Sequence, residues 1–154
     1  MSNMSTTRNA TPAPENFGKA GIFKLAPNDQ AALKAAADEL KLAFFTVDLR
    51  NARNVPGFIK AFQRDLDFPD WFGGNLDALN DCLTDFSWHP APGYVITLAG
   101  SESLSTNLTS FAALNQVLAS TVEEWKKRDI PFWIFYLSAD PVSLNERTLP
   151  SSQS

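Results

Sequence analysis

Among 154 residues there is one cysteine, Cys82, and one histidine, His89. A lone cysteine cannot close a disulfide within the chain, which fits a reducing compartment such as the cytoplasm. A lone histidine means that any zinc site, or any Ser–His or Cys–His pair, would have to use His89. No apolar run reaches the roughly 18 residues of a membrane span, and no long apolar stretch follows a basic start as in a secretory leader. The shortage that says most is of positive charge. From Asp65 through Trp125 no Lys or Arg occurs, while Asp65, Asp67, Asp70, Asp77, Asp81, Asp85, Glu102, Glu123 and Glu124 put nine carboxylates in that interval. The rest of the chain carries thirteen basic and eight acidic residues, so the formal net charge of −4 hides a polarised molecule. Such a field steers cationic partners. It argues against direct nucleic-acid binding, which needs phosphate neutralisation.

The length suits one domain that buries about 68–70% of its unfolded surface. Residues 1–19, rich in Ser, Thr, Asn, Ala and Pro, read as a disordered tail; 20–139 read as the domain and 140–154 as a polar C-terminal tail. Residues 21–25 can form a short strand. Asn28 can cap a helix whose apolar residues Leu33, Ala36, Ala37 and Leu40 recur at helical spacing. Residues 42–49 open as a continuous apolar run, the mark of a buried strand. Asn54 can cap the next helix, with Pro56 in its first turn and Ile59, Phe62 and Leu66 facing the core. Later come a strand at 94–98, a polar loop at 100–107, a helical stripe of Phe111, Leu114, Leu118, Val122 and Trp125, and a strand at 131–137. Strands separated by helices imply an α/β fold with a small parallel sheet.

Residues 68–86 carry the densest information. Pro69, Gly73 and Gly74 break the chain, and Asn75 can then accept from the free amides of a helix start. Leu76, Leu79, Leu83 and Phe86 make one apolar stripe. Asp77, Asp81 and Asp85 follow at i, i+4 and i+8 on a neighbouring face. Like charges at that spacing destabilise a helix by roughly 0.2–0.5 kcal/mol per pair, so folding alone gives little reason to stack them. Asp77 also has a structural reading, since a carboxylate near a helix N-terminus favours the macrodipole. Asp81 lies beyond the first turn and has none. Of the adjacent Trp71 and Phe72, one packs inward and one faces out. Gly73 reads as a turn position with positive φ, Cys82 as a packed small hydrophobe, His89 as an exposed loop residue and Trp133 as core.

The segment Phe-Pro-Asp-Trp-Phe-Gly-Gly-Asn-Leu-Asp-Ala-Leu-Asn-Asp-Cys-Leu-Thr-Asp-Phe resembles the barstar family, intracellular inhibitors of the bacterial ribonuclease barnase. Agreement in element order extends from about 42 to 138. The resemblance implies a three-stranded parallel sheet, to which residues 20–41 add a fourth strand and a helix. It also implies a protein that is not an enzyme, needs no cofactor and is monomeric when free. Its expected partner is a cognate basic ribonuclease, whose active site is plugged by the acidic helix and the preceding loop. Trp71, Gly73, Asp77, Asp81 and Phe86 are carried over by position, Phe86 replacing a tryptophan and Asn80 standing where the prototype has another; with Asn75 and Asp85, which also reads as a solvated acid, they form the expected partner-binding set. Glu124 and Asp129 are candidate acids near the last helix. Two other readings stay open: an enzyme using Asp77 and Asp81 for acid–base work, and a non-inhibitory regulatory module that captures a different cationic protein on the same scaffold.

Overall fold

A computed structural model describes residues 20–69 and 73–137. Strand β1 is Gly21–Leu25, followed by helix α1, Gln30–Glu39, and strand β2, Ala43–Asp48. Helices α2, Val55–Leu66, and α3, Leu76–Leu83, precede β3, Tyr94–Ala99. A single turn, α4, Glu102–Ser105, leads into the long α5, Leu108–Lys127, and the chain closes on β4, Phe132–Leu137. No helix of the described residues is long and apolar enough to cross a membrane.

All neighbouring strands pair in parallel, in the order β1-β4-β3-β2. The α/β class is as expected, and the fourth strand does come from the N-terminal segment. Alternation along the strands assigns the two faces. Val95, Trp133 and Phe135 meet Leu33, Ala36 and Ala37 of α1. Ile96, Leu98, Ile134 and Tyr136 point the other way, into the larger core beneath α2, α3 and α5. Trp133 is core, as its strand position implies.

Helix ends are set by local hydrogen bonds. Asn54 caps α2, its side chain accepting from Gly57 N at 2.9 Å. Asn28 caps nothing. Pro27 opens a 3-10 turn over Pro27–Asp29, so helical geometry starts early and Asn28 falls inside the turn instead of ahead of the helix. The stripe of α1 stops short of Leu40, which is 42% exposed. Lys41 turns left-handed at φ 62°, and the Leu42 and Lys41 amides bond back to Ala37 O and Asp38 O, a Schellman ending. The polar stretch 100–107 contains α4, whose one apolar anchor, Leu104, is fully buried. One helical turn is too short to show a period.

Candidate functional site

Helix α3 begins as its sequence implies. Asn75 is extended at φ −127°, and its side-chain oxygen accepts from Ala78 N at 2.8 Å. With its oxygen engaged in the cap, Asn75→Ala is expected to lower folding stability by about 0.5–2 kcal/mol, read by urea unfolding. Of the two adjacent loop glycines, the one with positive φ is Gly74, at φ 80°, and not Gly73. Among the described residues, a Cβ on Gly73 would meet the Ala78 Cβ at an ordinary 3.6 Å, and its φ is not positive, so backbone geometry there does not demand glycine.

The far end of α3 differs from the sequence reading. The helix stops at Leu83, where Thr84 Oγ1 donates to Asn80 O at 2.8 Å. Asp85 therefore lies in the turn beyond the helix, and its Oδ2 accepts from Ser87 Oγ at 2.8 Å. Phe86 adopts φ 46° and is 1% exposed. Its ring lies 4.5 Å from that of Tyr94 and 4.9 Å from that of Trp88, both stacked. This corrects the expectation that Phe86 offers its side chain to a partner: it is a core residue beneath the acidic helix.

What fixes α3 in place comes from far along the chain. Leu79, Cys82 and Leu83 are fully buried against the core shared with α5 and α2. Each buried leucine contributes about 1.5–3 kcal/mol. Trp125 Nε1 donates to Leu83 O at 2.8 Å, taking one of the carbonyls that a helix end leaves without a partner. No local pattern reveals this bond across 42 residues; the sequence marked Trp125 only as apolar.

On that base Asp77 and Asp81 stand exposed, one helical turn apart. Neither they nor Asp85 enters an ion pair among the described residues. Asn80, between them in sequence, is half-buried, and its Oδ1 is buried without a hydrogen-bond partner among the described residues. Trp71 lies outside the described residues. Glu124 is engaged by Arg128 at 3.2 Å, while the Arg128 guanidinium lies 4.5 Å from the Trp125 ring centre. Asp129 follows α5 in a left-handed conformation, φ 59°. His89 is exposed and sets its ring edge-on to Phe45.

The acids are felt from below. Burial first, then the charges of Asp85 and Asp81, push the Cys82 thiol up to about 11. A thiol that holds its proton more tightly folded than unfolded makes stability fall as pH rises. The fall begins near the ordinary thiol value of 9.0 and is complete above about 11. Tyr94 and Tyr136, also raised by burial, add to it. Chemical denaturation of parent and Cys82→Ala across that range is the measurement. The variant is expected to lose about 1 kcal/mol at neutral pH as a small core truncation, and the gap is expected to narrow as pH rises.

The model of the family described as Barstar (barnase inhibitor) matches residues 42–137, and the chain belongs to that family. A relative from Bacillus subtilis (strain 168), which bears the name "Putative ribonuclease inhibitor YrdF", is 37% identical over 81 residues, covering 52% of this chain and 86% of its own length. Among solved structures, the Aeropyrum pernix ORC2 protein (ADPNP-ADP complexes) overlays with a TM-score of 0.47 at 16% identity. That overlay takes in 86% of this chain and 38% of the other, and is too loose to inform fold or function.

Proposed function

We propose that the chain inhibits a basic, barnase-like ribonuclease in the cytoplasm of the cell that makes it, by laying α3 and its flanking turns across the enzyme's anion-binding site. Asp77 and Asp81 take the place of substrate phosphates. Gly73, Asn75, Asn80 and Asp85 flank them, with Phe86 holding the surface from below, and Trp71 completes the proposed contact set. The observation that supports this most is the pair Asp77 and Asp81, exposed, outside any ion pair among the described residues, and mounted on a packed helix. Carboxylates held ready in this way attract guanidinium and ammonium groups without first breaking an internal bridge.

The test is a titration of the purified chain against small basic ribonucleases, above all one encoded by a neighbouring gene. Stoichiometric inhibition is expected, with an association rate that falls as salt is added. Binding without inhibition would favour the second reading, a regulatory module for another cationic protein. Asn80 gives that reading its support, because a half-buried amide whose oxygen has no partner among the described residues invites a hydrogen-bond donor and offers no large apolar anchor. Turnover of a substrate by the chain itself would overturn both.

A further inference from the structure

The topology builds a second crevice, away from the acidic helix. In an open parallel sheet, ligands settle beyond the carboxyl ends of the strands, where connections leave for opposite faces. Here β1 leads into α1 on one face, while β3, one strand beyond β4, leads into α4 and α5 on the other. A cavity of about 420 Å³ lies there, between the ends of β1 and β4 and helices α4 and α5. Small-molecule sites run from about 300 to 1,000 Å³. One wall is β1, which precedes the residues 42–137 matched by the family.

The lining has three parts. Ile22, Phe111 and the ring of Tyr136 make an apolar floor, the two aromatic rings 5.8 Å apart. The register sets Lys24 beside Tyr136 and Ile22 beside Ile134, so by alternation the half-buried Lys24 rises on the face that α5 covers. Among the described residues Lys24 forms no ion pair, and neither does Glu102, which α4 brings to the same cavity. Tyr136 donates its hydroxyl proton to Asn115 Oδ1 at 2.5 Å. That leaves the Asn115 NH2 group as a donor. A cation and an amide donor, a separate carboxylate and an apolar floor are complementary to one kind of small molecule. We propose that this cavity binds a free α-amino acid with a large apolar side chain, its carboxylate toward Lys24 and Asn115 and its ammonium toward Glu102.

The experiment is an NMR titration of the whole chain with L-phenylalanine, following backbone amides. Saturable shifts are expected in β1, α4 and the end of β4, with a Kd on the order of 1 mM. Lys24→Gln and Glu102→Gln, both remote in sequence from α3, are each expected to weaken binding about tenfold while the chain stays folded by thermal melting. N-acetyl-phenylalanine amide keeps the apolar body, lacks both charges and is expected not to saturate the site. Equal binding of that uncharged analogue would overturn the proposal. So would the absence of shifts at these residues up to about 20 mM, well beyond the expected Kd; a cavity closed by a Lys24–Glu102 ion pair gives that same silence. Ribonuclease binding is read separately on the same variants, and is expected to be unchanged.

Discussion

Asp81→Ala is expected to fold at least as well as the parent and to lose most of its affinity for the ribonuclease. Within α3 the substitution removes the like-charge contact with Asp77, worth roughly 0.2–0.5 kcal/mol. Asp85, beyond the helix end at Leu83, adds no regular i+4 contact. No cap or ion pair depends on Asp81 among the described residues. In the proposed complex its carboxylate would face cationic groups that lose their water. Stripping one partner from such a pair costs about 2–5 kcal/mol or more, a range that barnase–barstar itself helped define and that is borrowed here. The check is thermal melting and partner affinity on one purified variant. Unchanged affinity, or a marked loss of folded stability, would remove Asp81 from the centre of the interface.

Phe86→Ala is expected to do the reverse. The ring is fully enclosed and stacked on Trp88 and Tyr94, with the tilted rings of Trp125 and Phe132 close by. Truncating an enclosed phenylalanine costs about 3–5 kcal/mol. Urea unfolding of Phe86→Ala measures that loss. Affinity measured under conditions where the variant is still folded is expected to change far less. A variant that melts like the parent yet fails to bind would instead place the ring at the partner surface.

The contrast between these two positions shows where the sequence was legible. Asp81 is exposed for a reason visible locally, since helical spacing puts it off the Leu79 and Leu83 stripe. Phe86 fits the same stripe on paper, at i+10 from Leu76. The first proline beyond α3 is Pro90, however, seven residues past Leu83 and too far on to mark the helix end, and Phe86 turns left-handed where its ring packs among Tyr94, Trp88 and Trp125. The strands were legible because alternating burial and short apolar runs are local properties, and the caps Asn54 and Asn75 because their bonds span three residues. The placement of β1 beside β4 was not, because strand order depends on which helix covers which face. Asn28 failed as a cap for a local reason that the sequence does show, the proline immediately before it.

At eight residues, α3 is shorter than the roughly 12–15 that hold a helix together in water. Its last turn is closed by the indole of Trp125, which is itself seated only when α5 lies on the sheet. The acidic surface therefore has no existence apart from the finished core. In hydrogen exchange, the amides of Leu79 to Leu83 should open together with those of α5, as parts of one cooperative unit. A chain damaged in its core would lose the packed helix that holds Asp77 and Asp81 one turn apart, so under the proposed function binding would also report that folding is complete.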